Sequence, residues 1–238
     1  MLESLQHRGT HTVARIWVAK GSTDARIRKI VAAAKASGVP VEHCTRRELD
    51  RREPTVPHQG VIARVSRTSP SDLSAVLAKI AQRSAPALFL MLDTLQDPRN
   101  FGAVLRTAEA VAADAVIVPK NNAVGVTPAV HKASAGASAY VPIITVTNLT
   151  RTIETLKNRG IWVVGAAAGD GSAHYTTADF RVPLCLVFGS EGKGIRRLVK
   201  QTCDYLVHLP MFGRIESLNV SVAAGVLLYE VVRQRAEK

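Results

Sequence analysis

Two stretches of the chain hold the residue types that could handle a polar substrate beside an apolar scaffold. The first, Asp97-Pro98-Arg99-Asn100-Phe101-Gly102-Ala103-Val104-Leu105-Arg106, places an asparagine and two arginines just after an apolar run that ends at Asp93. The second is Phe188-Gly189-Ser190-Glu191-Gly192-Lys193-Gly194, then Leu209-Pro210-Met211, then Ile215-Glu216-Ser217-Leu218-Asn219-Val220-Ser221. Its glycines let backbone amides and carbonyls approach a ligand closely, and Glu191, Ser217 and Asn219 add polar groups beside an apolar sheet. By spacing alone the second stretch reads equally well as ordinary strand-to-helix turns, and Asn100 as a helix cap. Convergence favours a site. A helix starting at Asn100 brings Asn100 and Arg106 near the carboxyl-end face of the sheet, where ligands of open α/β sheets bind and where Gly189 to Gly194 must sit. Asparagines, arginines, a glutamate and a serine meeting there suit a phosphate-bearing substrate.

The elements that must position these residues follow from hydrophobic period and turn signals. Strands are expected at 87–92, 115–118, 141–146, 161–166, 184–188 and 205–209, and helices at 72–82, 100–112, 128–136, 149–159, 195–203 and 218–235. Alternation of this kind predicts an α/β fold, a mostly parallel sheet covered on both faces. The last helix is apolar almost all round, from Leu218 through Val232, so it must be buried by the core or by a partner subunit. Ahead of this domain, a strand at 13–19, a helix at 25–37, a strand at 41–44, a capped turn at 45–52 and a strand at 61–65 form a small α/β module. Thr45 and Glu48 stand at capping-box distance in that turn. The polar, turn-rich Ser66-Arg67-Thr68-Ser69-Pro70-Ser71 marks the boundary, so the division is residues 1–67, a linker at 68–86 and a main domain at 87–238.

With 238 residues, 47% hydrophobic, the chain can bury a substantial core. Its apolar runs fall short of the roughly 18 residues of a membrane span, and Met1-Leu2-Glu3 opens no secretory signal, so a soluble, cytoplasmic protein is expected. Cys44, Cys185 and Cys203 are odd in number and widely spaced, which suits reduced thiols. A net charge of +12 and a pI near 10.1 point to an anionic partner, nucleic acid first. The excess is concentrated: residues 1–86 hold 15 Lys/Arg against 7 Asp/Glu, net +8, and residues 87–238 hold 16 against 12, net +4. Only 5% of residues are aromatic, which favours phosphate and shape recognition over base stacking.

Absent motifs narrow the chemistry. The dinucleotide fingerprint G-x-G-x-x-G, the phosphate loop G-x-x-x-x-G-K-[S/T] and the hydrolase elbow G-x-S-x-G are all missing. The seven histidines show no H-E-x-x-H and no ligand spacing with the cysteines, so no metal site is expected.

Taken in order, Asn100-x5-Arg106, Phe188-Gly189-Ser190-Glu191-Gly192-x-Gly194 and Ser217-Leu218-Asn219-Val220-Ser221 resemble the three motifs of the SpoU family of RNA ribose 2′-O-methyltransferases. The likeness runs from about Phe89 to Arg235. Ahead of it, His58-Gln59-Gly60-Val61-Ile62-Ala63-Arg64-Val65 resembles the end of the substrate-binding domain in the branch that methylates a guanosine of 23S ribosomal RNA. The resemblance implies a trefoil knot at the carboxyl end, a homodimer, and S-adenosylmethionine as cofactor. It implies cofactor contacts at Gly165, Ala166, Ala167, Gly189, Leu209 and Leu218. It also implies an RNA-binding amino-terminal domain of the ribosomal-protein L30 type, in keeping with its net +8.

A ribose hydroxyl is a weak nucleophile, so its methylation needs in-line placement and help in losing the proton. The resemblance gives the base role to Arg106, with Asn100, Glu191, Ser217 and Asn219 orienting it and the ribose. A guanidinium stays protonated in proteins, so two versions stand: Arg106 as a base aided by an RNA phosphate, or as a cation stabilising the developing alkoxide. Relatives in this branch begin with Gly-x-His-x-Val and a full helix before the first strand. Here Gly9-Thr10-His11-Thr12-Val13 runs almost directly into the strand, from which a truncated or misassigned start is expected. Transfer RNA is the rival substrate, and a non-catalytic RNA-binding or ribosome-assembly protein is the rival class.

Overall fold

The computed structural model describes residue 5 and residues 11–22, 24–54, 57–67, 72–169 and 171–236. The chain divides into two compact units, Met1–Ser69 and Pro70–Lys238.

In the first unit, β1 (His11–Ala19) is the middle strand, parallel to β2 (Val41–Cys44) and antiparallel to β3 (Val61–Arg67). Side chains alternate across β1. Val13, Ile16 and Val18 pack with Ile27, Ile30 and Ala34 of α1 (Ala25–Ala36), while Trp17 turns to the opposite face with Cys44 and Leu49. Asp24 caps α1, and the Thr45–Glu48 capping box opens α2 (Arg46–Arg52) by satisfying two backbone donors reciprocally. His58 closes the unit: its Nδ1 accepts from Gly60 N at 2.9 Å, and its Nε2 lies 2.9 Å from Asp50 Oδ1. Of the Gly9–Val13 segment, Gly9 and Thr10 lie outside the described residues, as do residues 68–71 of the expected linker.

The second unit is a seven-stranded sheet in which every pairing is parallel. Its strands are β4 (Leu88–Leu92), β5 (Ala115–Pro119), β6 (Ile143–Val146), β7 (Trp162–Ala166), β8 (Ser172–His174), β9 (Leu184–Phe188) and β10 (Tyr205–His208), in the order β6-β5-β4-β9-β7-β10-β8. Helices cover both faces, so β4, β5 and β9 are buried throughout and read as unbroken apolar runs. One layer sets Leu88, Leu90 and Leu92 against α4 (Pro98–Ala110), α5 (Pro128–Ala133) and α8 (Val220–Ala236). The other sets Phe89 and Met91 against α3 (Leu73–Ile80), α6 (Leu149–Lys157) and α7 (Arg197–Thr202).

The structure departs from the sequence reading at several points. α4 starts at Pro98, not Asn100, because Asp97 accepts the Arg99 N–H at 2.8 Å and Pro98 is pre-shaped for the first helical position. The helix expected at 72–82 forms as α3, and its Leu77 is buried against the sheet, so this part of the 68–86 segment packs with the main domain. β8 and the 3-10 turn at Tyr175–Thr177 were not anticipated, since three residues carry no readable period. The last helix is buried on one face only: Val220, Ala224, Leu227, Leu228 and Val231 enter the core, while Val222, Val226, Tyr229 and Val232 are exposed.

Candidate active site

Strand order decides where the site forms. The chain runs outward through β4, β5 and β6, then returns to the opposite side of β4 with β7 and β9, which places the switch point between β4 and β9. The loops that leave these two neighbours must meet, and Asp93 N donates to Phe188 O at 2.7 Å where they do. Asn100, in the first turn of α4, thereby faces the Gly189–Gly194 turn.

Within that turn, Ser190 and Gly194 exchange backbone hydrogen bonds, and a side chain on Gly189 would stand 1.9 Å from the carbonyl carbon of Gly194. Only glycine permits the pinch, which projects Glu191 outward. Asn219 caps α8 with its Oδ1, accepting from Ser221 N at 2.9 Å and Ser221 Oγ at 2.6 Å. That bond fixes the amide's orientation, so its Nδ2 is the group turned to the site. It donates to Glu191 Oε1 at 2.8 Å and Asn100 Oδ1 at 3.0 Å, and Asn100 Nδ2 donates to the same Glu191 oxygen. The three side chains form a closed ring in which Glu191 Oε2 keeps its acceptor capacity.

Beside the ring lies a cavity of about 570 Å³, walled by the loops after β7, β9 and β10. Ala166, Ala167, Gly189, Leu209 and Leu218 line it, with Glu191, Ser217 and Asn219 at its rim. Gly165 does not. It lies inside β7, where a side chain would stand 2.7 Å from Leu206 Cδ2, so its bareness makes room for β10 and not for a ligand. Nearby Cys203 is no nucleophile: burial, with the Asp204 carboxylate, pushes its thiol up to about 12. Arg106 also stands apart. Six residues beyond Asn100, it is about 9 Å further along the helix axis and about 120° round it, and its side chain is exposed. Within one chain the structure thus joins Asn100, Glu191 and Asn219, sets Ser217 at the cavity, and leaves Arg106 outside.

The cavity suits S-adenosylmethionine. Its size falls in the range of small-molecule sites, its loops carry small residues that expose backbone donors and acceptors, and Leu209, Leu218 and Leu227 offer an apolar slot. Leu227 escaped the sequence reading, although its place in an apolar helix beginning at the Asn219 cap was the available signal. Among the described residues no cluster of three potential metal ligands occurs, and no helix is long and apolar enough to cross a membrane.

Residues 87–229 match the SpoU rRNA Methylase family, and residues 1–71 match the domain described as RNA 2′-O ribose methyltransferase substrate binding. A Pseudomonas syringae pv. tomato protein named 23S rRNA (guanosine-2′-O-)-methyltransferase RlmB is 46% identical over 240 residues, spanning 100% of this chain and 94% of that protein. Among solved structures, the SpoU methyltransferase AviRb from Streptomyces viridochromogenes, in complex with the cofactor AdoMet, gives a TM-score of 0.81 at 25% identity and covers 100% of this chain and 88% of its own. The A. aeolicus TrmH/SpoU tRNA modifying enzyme gives a TM-score of 0.60 at 29% identity, over 69% of this chain and 83% of its own.

Proposed function

Because the chain belongs to the SpoU rRNA methylase family, we propose that the three-loop cavity is its S-adenosylmethionine site and that the Asn100–Glu191–Asn219 ring is the edge at which a ribose hydroxyl reacts. The enzyme is a methyltransferase acting on the 2′-oxygen of a guanosine in 23S ribosomal RNA. The observation that carries this substrate is identity of 46% to the 23S rRNA enzyme over the whole chain, substrate-binding domain included.

The cofactor supplies an electrophilic methyl group on a sulfonium. The chain must hold the ribose in line with it while the hydroxyl proton leaves to another group or to water. Glu191, braced by two amide donors, orients the ribose through Oε2. Arg106 remains a cation and stabilises the developing alkoxide, since a guanidinium does not lose its proton near neutral pH. An arginine set apart from the ring of its own chain is supplied by a second copy. The exposed apolar stripe of α8 supports this homodimer, and Phe212 and Ile215 extend the apolar surface close to the cavity rim. A trefoil knot formed by the cofactor loops belongs to the same reading, as does a cytoplasmic location beside the ribosomal substrate.

Methylation of a panel of purified RNAs with labelled S-adenosylmethionine tests the assignment. Label is expected in 23S ribosomal RNA, at a guanosine 2′-oxygen. Label confined to transfer RNA overturns the substrate.

A further inference from the structure

A second cavity, of about 580 Å³, opens at the same carboxyl edge of the sheet, beyond β5 and β6. Its wall includes Asn121 and Asn122 after β5, Thr147 and Thr150 about the start of α6, and Arg196 and Arg197. The two cavities adjoin: Ile195 lines the first, and Arg196, the next residue, lines the second.

The wall holds two guanidiniums and no carboxylate. Buried Asp93 sits behind it, accepting the Arg196 Nε–H at 2.7 Å and the Arg196 backbone N–H at 2.9 Å. This clamp fixes the guanidinium while leaving its two terminal nitrogens without a partner among the described residues. Arg197 is exposed and likewise unpaired among them, and Leu198, 63% exposed, adds an apolar edge. Positive charge with amide and hydroxyl groups, beside the apolar Pro119, Leu149, Leu198 and Val199, matches a sugar-phosphate unit better than a protein surface. A polymer whose nucleotide reacts at the first cavity must continue past it. The adjoining cationic cavity is where a neighbouring phosphodiester gains most.

We propose that this second cavity seats a nucleotide flanking the methylated one, its phosphodiester on Arg196 and Arg197 and its sugar against Asn121 and Thr147. The proposal rests on the reading of the first cavity as the reaction site.

The test is binding of a 23S ribosomal RNA fragment to the full chain by fluorescence anisotropy across a salt series, with S-adenosylmethionine binding followed by calorimetry. Arg197→Glu is expected to weaken RNA binding about ten-fold or more and to make the salt slope shallower by about one unit. Arg197→Lys restores most of the affinity, and cofactor binding does not change. In turnover the loss falls on KM for RNA. Should Arg197→Glu fail to fold, Arg197→Gln carries the same reading through a roughly five-fold loss. Wild-type RNA affinity and salt slope in a folded charge-removing variant overturn the subsite. Failure of the wild-type chain to methylate RNA instead sinks the enzymatic reading, which binding measured without turnover keeps separate.

Discussion

Asn100 Nδ2 donates a hydrogen bond to Glu191 Oε1 across 91 residues of chain. The two are brought together because β4 and β9 are adjacent parallel strands, in register from Leu88 with Leu184 to Leu92 with Phe188. Asn100 is buried and Glu191 is exposed, so the bond anchors a solvent-facing carboxylate to the rigid first turn of a helix.

If that anchor positions the reacting ribose, Asn100→Ala lowers kcat/KM for RNA by about 10²-fold, the scale of a misplacement of about 1 Å. S-adenosylmethionine affinity, measured by calorimetry, stays within about three-fold, because Asn100 does not line the cofactor cavity. Near-normal turnover in the variant removes the ring from the mechanism.

Arg106→Ala is expected to lower turnover by about 10²- to 10³-fold, the effect of losing one preorganised donor to a developing oxyanion. Cofactor binding stays nearly unchanged. Mixing Arg106→Ala with an excess of Glu191→Ala restores part of the activity if the arginine and the ring come from different copies. No restoration assigns both to one chain.

The exposed stripe of α8, with Val222 at 50%, Val226 at 38% and Tyr229 at 57% exposure, predicts association through this helix. The wild-type chain should be a dimer by light scattering at micromolar concentration, and Val226→Glu a folded monomer. A monomeric wild type, or a dimeric Val226→Glu, rejects this interface.

Arg235 ties the end of α8 to the sheet by donating to four backbone carbonyls, those of Pro86, Ala87, Phe180 and Val182, at 2.8–3.0 Å. Burial lowers its pKa from the ordinary arginine value, a cost the carbonyl bonds offset. Arg235→Met removes these bonds, leaving Ala87 O only its bond from Leu184 N, and should cost about 3 kcal/mol, lowering Tm by roughly 6–12 °C. Differential scanning calorimetry checks this, and a shift under about 2 °C rejects the anchor.

Glu230 gives a pH prediction. Hydrogen bonds from Arg233 chiefly, and from Gln234, lower its pKa in the fold below the usual 4.5. Its contribution to stability is therefore complete above 4.5 and is lost as pH falls through the lowered folded value. Urea unfolding between about pH 7 and pH 3 should show a shallower acid loss for Glu230→Gln than for the wild type. Identical slopes refute the assignment.

Several features were settled by the sequence itself, because they depend on neighbours a few residues away. The bounds of β9 follow from an apolar run, those of β2 from its place between Gly38-Val39-Pro40 and the capped Thr45, and the Thr45–Glu48 box from a spacing of three. Gly189 to Gly194 is marked as a tight turn by composition, and the order of the three motifs points to the family. Tertiary structure decided the rest. Asn100 read equally well as a cap until Asp97 was seen to hold that place, which freed Asn100 for Glu191 and Asn219. Gly165 looked like a cofactor contact, but which face of β7 it serves depends on Leu206 of β10, 41 residues away. Arg106 shares a short segment with Asn100, yet 3.6 residues per turn send the two side chains to different faces. Local periodicity is written along the chain, whereas which loops meet is set by strand order, here the neighbouring of β4 and β9.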